Sequence, residues 1–346
     1  MEKMELEFYK GKKVLLTGHS GFKGTWMSNA LVDAGAELVG YSLCREKEID
    51  FFKLTGVGKN MKSIKGDIRD LEKLKRVFEE EKPEIVIHMA AQPIVRESYY
   101  DPVGTYSTNV MGTVNVFEAT RTCDSVQSIL NVTTDKVYLN DERNKGFKED
   151  EPLDGYDPYS NSKSCSELVS HSYYNSFLRK RGVKVSSARA GNVIGGGDFS
   201  KDRIIPDCVR AAVNGEEIIV RNPYSTRPYQ HVLEPIMAYL LIAKGEHPGW
   251  YNVGPNDNDC FQTGKLVDVF VRCWGDGLKW IEKTDGGPHE AGFLKLDSTK
   301  MKSTFGWEPK WDLNYAVSKT VEWYKIWNNG DDIKACMKRQ IKEYIE

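Results

Sequence analysis

The 346-residue sequence contains no C-x-x-C pair, no H-x-x-x-H and no cluster of cysteine with histidine. Its cysteines, at 44, 123, 165, 208, 260, 273 and 336, are odd in number and widely spaced. That pattern fits reduced thiols rather than a disulfide framework, and no metal ligand set is offered. An excess of either charge is also missing: 48 Lys+Arg against 50 Asp+Glu leave a net charge of -2, which removes the electrostatic case for nucleic acid or an anionic membrane. No apolar run approaches a membrane span, and Met1 to Glu7 are charged rather than apolar, so a cytoplasmic protein is expected. Repeats and low-complexity tracts are absent. Small molecules and further copies of the chain remain as partners.

What is present begins with Lys12 to Gly24. A short apolar run is followed by glycines at 18, 21 and 24, and Thr25 to Leu31 continues as a helix. Such a strand, turn and helix start presents free backbone N–H groups to a diphosphate, with glycine where a Cβ would obstruct the approach. His19, Phe22 and Lys23 lie in this loop, where a cation either meets cofactor phosphate or is simply solvated. The spacing is G-x-x-G-x-x-G and resembles the extended short-chain dehydrogenase/reductase superfamily.

Glu37–Ser42 reads as strand two. It lacks the acidic residue that often holds the adenosine ribose, and Arg45 leaves NAD against NADP open. Ser63–Asp70 reads as strand three with an acidic turn, Asp70 capping a helix over 71–81. Glu84 to Gln92 is strand four running into small residues, with His88 a packed strand residue. Asp101 to Arg121 has the length of a helix, Val126–Val132 is strand five, and Val183–Arg189 is strand six after a helix over 158–181. The alternation implies an α/β protein, a Rossmann-type doubly wound parallel sheet. Past Gly191, prolines and glycines punctuate shorter elements. The expected organisation is a dinucleotide-binding domain over 1–190 plus about 231–250, and a smaller interleaved substrate domain over the rest of 191–346, with a helix over 234–244 returning to the first.

Tyr159-Ser160-Asn161-Ser162-Lys163 is the sharpest signal. Positions i and i+4 share a helix face, so the Lys163 ammonium is expected near the Tyr159 phenol, favouring a phenolate that takes a proton from a sugar hydroxyl. The alternative is a surface Tyr/Lys pair. The end of strand five, Thr133-Thr134-Asp135-Lys136, places a hydroxyl where α/β sheets bind ligands.

In nucleotide-sugar 4,6-dehydratases a Thr-Asp-Glu run at this point supplies the catalytic threonine, an acid for the C6 hydroxyl and a base for the C5 proton; epimerases usually lack the acidic pair. Here the third residue is Lys136, which either acts as that base with a depressed pKa or orients the substrate. Together, His19–Gly24, Ala91–Arg96, Asp157–Lys163, Ala188–Asp198, Arg227–Pro235 and Pro288–Ala291 resemble the CDP-glucose 4,6-dehydratase family over nearly the whole chain. The resemblance implies NAD as cofactor and CDP-glucose as substrate. It implies C4 oxidation by Tyr159 with Thr134 and Lys163, loss of water across C5 and C6 with Asp135 as acid, then reduction at C6. It also implies cofactor contacts from Gly18, His19, Gly21, Phe22, Lys23, Gly24, Asp67, Ile68, Ala90, Ala91, Gln92, Asn109, Thr133, Tyr159 and Lys163. Asn192, Arg203 and Arg227 are the implied diphosphate ligands, with Gln230 and His231 lining the sugar or base pocket. A homodimer built on the helices carrying Asn109 and Tyr159 is implied as well. Another nucleotide sugar, an epimerase, or a non-catalytic NAD(P) sensor on the same fold stay as alternatives.

Overall fold

The computed structural model describes residues 6–44, 48–283, 286 and 292–346; Arg45 and Pro288–Ala291 lie outside them. Along the chain, β1 (Lys13–Thr17), α1 (Phe22–Asp33), β2 (Glu37–Ser42), β3 (Lys62–Lys65), α2 (Leu71–Glu81) and β4 (Ile85–His88) alternate. α3 (Gly112–Thr122), β5 (Ser128–Thr134), α4 (Pro158–Tyr173) and β6 (Lys184–Ala190) follow. Beyond them come β7 (Val193–Ile194), α5 (Ile204–Asn214), β8 (Ile218–Val220), β9 (Thr226–Arg227), β10 (Gln230–His231), α6 (Leu233–Ala243) and β11 (Trp250–Val253). β12 (Phe261–Gln262), α7 (Thr263–Trp274), β13 (Trp280–Glu282), α8 (Leu313–Asn328) and α9 (Ile333–Ile345) complete the labelled elements.

The strands β11-β6-β5-β4-β1-β2-β3 form one sheet in that order, and every pairing in it is parallel. Strand order reverses between β1 and β4, which opens a crevice at their carboxyl ends. One face is covered by α2 and α3 through Leu15, Phe78, Val86, Phe117 and Ile129. The other is covered by α1 and α6, whose apolar side chains run into a continuous core with α7, α8 and α9. α6 is buried along its whole length, because an apolar helix lies between the sheet and the C-terminal elements. The returning helix is thus where its hydropathy places it.

Two expected helices are broken. The stretch over 101–121 is a short helix Pro102–Tyr106, a wide π turn Ser107–Met111, and α3. The helix over 158–181 likewise ends in a π turn at Tyr174–Leu178. Such wide turns are inserted single turns that often mark functional positions; here the first one carries Asn109, whose amide bonds the backbone of Gln92 and the Ser162 hydroxyl. Asp70 caps α2 as expected, accepting from the Lys73 N–H. The smaller region joins parallel β8–β13 and antiparallel β9–β12 pairs over the carboxyl end of the large sheet.

Candidate active site

The glycine turn follows from close packing. Gly18 has φ of 77°, and a Cβ there would stand 2.8 Å from the Ala90 nitrogen; one on Gly24 would stand 2.1 Å from the Gly18 carbonyl oxygen. α1 begins at Phe22, so Lys23 and Gly24 are in its first turn, three residues earlier than expected. Its N-cap, Gly21, supplies no side-chain cap, and no acidic residue occupies the first turn. The N–H groups of that turn are therefore available to an anion, and the glycines at 18, 21 and 24 let the turn fold tightly on itself and on Ala90 beneath them. These features fit a dinucleotide.

His19 is not a cation in this loop. Its ring is buried beneath Gly40, edge-on to Phe52, and bonded through Nε2 to the Ser63 hydroxyl at 2.8 Å. Burial pulls its pKa down to about 4, so the imidazole is a neutral filler under the turn. Lys23 also points away from solvent: it lines the main cavity with Thr134, Asp135 and Tyr159, and its ammonium lies 5.5 Å from the Tyr239 ring centroid. His88 is the packed strand residue expected, bonded to Thr17 and Thr113 on its two nitrogens.

The cavity, of roughly 670 Å³, opens beside the carboxyl ends of β5 and β6 and extends under β8 and β9. Tyr159 enters it from the first turn of α4, a helix started by Pro158 and by Asp157 accepting from the Ser160 N–H. Burial pushes the Tyr159 phenol up to about 12, opposed by a hydrogen bond from Thr134 and by the Arg203 charge. One turn on, Lys163 is buried with Nζ donating to the Val132 carbonyl at 3.0 Å. Burial lowers its pKa to about 8, against the pull of Glu167. The stripe continues to Glu167, which holds Arg189 through both carboxylate oxygens and accepts from the Thr133 hydroxyl. Thr133 is thereby fixed behind the site as well as lining it.

Thr134 ends β5 and donates to Asp135 Oδ1 at 2.9 Å. Asp135 is buried, and its Oδ2 has no hydrogen-bond partner among the described residues. A Cβ on Gly191 would meet Pro228 at 2.5 Å and this oxygen at 3.2 Å, so glycine keeps the carboxyl open to the cavity. Lys136 lines the cavity beside it. Asn192, Arg203 and Arg227 line the same space; Arg203 is paired with Asp198 at 3.1 Å, and Arg227 is buried.

Gln230 and His231 do not belong to this lining. They form β10, fully within the core: Gln230 donates to the Val253 carbonyl, and His231 packs between Trp26 and Trp311. Burial holds His231 near 3, so it is neutral.

The remaining cofactor candidates are spread along the crevice. Asp67 pairs with Arg69, Ile68 packs against Gly112, and Ala90, Ala91 and Gln92 form the loop after β4 that Asn109 pins. Sequence reasoning passed over Arg96, Arg221, Tyr224 and Tyr229, all of which line the cavity. Arg96 and Tyr229 lie within the family-like segments Ala91–Arg96 and Arg227–Pro235 and are recoverable from them, whereas Arg221 and Tyr224 stand in a stretch without local periodicity. No group of three potential metal ligands occurs among the described residues, nor is any described helix long and apolar enough to cross a membrane.

A model of the GDP-mannose 4,6 dehydratase family matches residues 15–320. A CDP-glucose 4,6-dehydratase of Salmonella typhimurium is 46% identical over 99% of this chain and 98% of its own length. The dTDP-D-glucose 4,6-dehydratase of Bos taurus is 27% identical over 92% of each. Among solved structures, a Thermus thermophilus UDP-glucose 4-epimerase complex with NAD has a TM-score of 0.79 at 25% identity, covering 90% of this chain and 98% of that one. A Bacillus anthracis dTDP-glucose 4,6-dehydratase in complex with NAD has a TM-score of 0.78 at 23% identity, covering 91% and 97%. With a family model spanning most of its length and a near-full-length relative at almost half identity, the chain belongs to the GDP-mannose 4,6 dehydratase family.

Proposed function

We propose that this protein is an NAD-dependent hydro-lyase that converts CDP-glucose to CDP-4-dehydro-6-deoxyglucose. The observation that carries the reading is that Tyr159, Thr134 and Asp135 line one cavity that runs on to Arg203 and Arg227. A phenol, a carboxyl and paired guanidinium groups are thereby spaced along one elongated ligand. The cytidine part rests on the Salmonella relative.

The turn at Gly18, Gly21 and Gly24, with the first N–H groups of α1, holds the dinucleotide diphosphate. Ile68 and Asp67 would take its adenine, and Lys163 with the loop Ala90–Gln92 would hold its nicotinamide end. NAD held there would supply the hydride acceptor for C4 oxidation and the hydride source for reduction at C6. Tyr159 removes the C4 hydroxyl proton, with Thr134 bonded to its oxygen and Lys163 one helical turn away lowering the cost of the phenolate. The C4 ketone acidifies the C5 proton. Asp135, its free oxygen facing the cavity, protonates the departing C6 hydroxyl, and Lys136 is placed to take the C5 proton or to orient the hexose. Arg203, Arg227 and Asn192 clamp the diphosphate, where guanidinium forks match phosphate oxygens. Residues 191–346, less the returning α6, make the nucleotide-sugar domain, and 1–190 with α6 the dinucleotide domain.

We further propose a homodimer in the cytoplasm, serving deoxysugar biosynthesis of the lipopolysaccharide O-antigen kind. Its support is the apolar surface on the helices around Asn109 and Tyr159, where Val103, Met111 and Leu168 are exposed. The test of activity is to incubate the purified protein and NAD with the CDP, dTDP, UDP and GDP sugars and weigh the products. A product lighter by one water from CDP-glucose is expected. Unchanged mass with inverted stereochemistry would make it an epimerase, and cofactor binding without turnover would make it a sensor.

A further inference from the structure

The described polar groups behind the reacting end are incompletely matched. Asp135 Oδ2 and Tyr239 Oη are both buried and have no hydrogen-bond partner among the described residues. The Tyr239 phenol is raised by burial and further by the Tyr159 and Asp135 charges. Between α1 and α6 the Lys23 ammonium lies 5.5 Å over the Tyr239 ring and lines the same cavity as Asp135 and Tyr159. A buried carboxylate oxygen and a buried hydroxyl left unsatisfied are costly unless something exchanges protons with them. The Lys23 ammonium, on a flexible stem in the same cavity, is a neighbour able to reach in and do so.

We propose that Lys23 is a positioning residue of the sugar-reacting end, acting through Asp135 as its proton source, and not a ligand of the cofactor diphosphate. The proposal rests on the dehydratase reading above. One N–H bond of the Lys23 ammonium breaks as an O–H bond forms on Asp135 Oδ2. That O–H then breaks as the C6–O bond does, and the hydroxyl leaves as water. The neutral amine recovers its proton from solvent entering the open cavity, which balances the proton that Tyr159 takes from the C4 hydroxyl and releases. Burial first, and then Lys163 on α4 and Arg203 before α5, press the Lys23 pKa down to about 7 against the support of Asp135, a value suited to exchange near neutrality.

The test uses the full chain with NAD and CDP-glucose, comparing wild type with Lys23→Met, Lys23→Arg and Tyr239→Phe. Wild-type product formation is scored first, so that failure of the dehydratase reading is seen separately. For Lys23→Met, NAD affinity by fluorescence titration is expected to stay within about twofold and single-turnover C4 oxidation within about threefold. Elimination should slow about tenfold or more, so that reduced nicotinamide accumulates, and the dependence of elimination on pH near ~7 should flatten. Lys23→Arg restores charge without a releasable proton and should not rescue. Tyr239→Phe, a smaller perturbation, should slow elimination about threefold or more with oxidation retained, and it carries the test if the methionine variant does not fold. NAD affinity lost with chemistry intact, rescue by arginine, or equal slowing of both half-reactions would each overturn the assignment.

Discussion

At the scale of single residues, Tyr159 and Asp135 line one cavity, and the proposed reaction gives them separable jobs. Tyr159→Phe removes the only atom that can take the C4 proton while leaving the ring packed, so oxidation should fall by about a thousandfold or more. Reduced nicotinamide would not form on adding CDP-glucose, and a variant that still forms it at a near-normal rate would take Tyr159 out of the mechanism. Asp135→Asn keeps the Thr134 contact but cannot supply an acidic proton. Oxidation should proceed and product formation slow by about a hundredfold, with reduced cofactor building up. Equal loss of both steps would move the acid elsewhere. Tyr159, Thr134 and Asp135 were legible in the sequence because their spacing and their place after a strand carry the chemistry. His19 and His231 were not, because a histidine reads alike whether it is a solvated cation or is buried neutral beneath Gly40 and between two tryptophans. Only tertiary packing decides which.

At the scale of elements, the turn into α1 and the buried α6 set the site. Gly24→Ala would drive a Cβ to 2.1 Å from the Gly18 carbonyl oxygen, so strand, turn and helix must part. Unfolding free energy should drop by about 2–4 kcal/mol and NAD affinity by tenfold or more, read by urea titration and cofactor fluorescence; a stable variant with native affinity would show the turn to be slack. Strand and helix types are readable from hydrophobic period, whereas the π turn at Ser107–Met111 is not, because it carries Asn109, whose contacts with Gln92 and Ser162 reach across the sequence. α6 carries a second consequence. Its Glu234 accepts from the backbone of Lys310 and Trp311 and from the Tyr344 hydroxyl, yet burial dominates and raises its pKa from 4.5 to about 7. As pH rises through that window the unfolded chain gives up this proton while the folded chain keeps it. Stability therefore falls between those limits, on the order of 3 kcal/mol, and levels off above them. Glu234→Gln, which cannot ionise, should flatten the urea midpoint against pH from ~5 to ~8. The same slope in the variant as in the parent would assign the pH dependence to other groups.

At the scale of the whole molecule, the cavity is lined by residues of one chain, while a helical surface is left apolar. Val103 is 78% exposed, Leu168 58% and Met111 52%, with Tyr100 at 84%. Single exposed apolar residues need no explanation, but several on adjoining helices mark an association surface. The helices that carry them are also those that aim Asn109 and Tyr159 inward, so one copy's site is braced by whatever covers their outer faces. In the proposed homodimer a second copy presenting the same helices would cover them by two-fold symmetry, each patch being its own complement. Placing charge at the centre of such a contact leaves it desolvated and unpaired twice over, once per copy. Met111→Glu with Leu168→Glu should therefore turn a dimer into a monomer at about 10 µM, measured by light scattering or sedimentation, while the cavity residues stay in place and turnover falls by less than about tenfold. A parent chain that sediments as a monomer at that concentration, or a double variant that still pairs, would mean that the exposed helices are not where two copies meet.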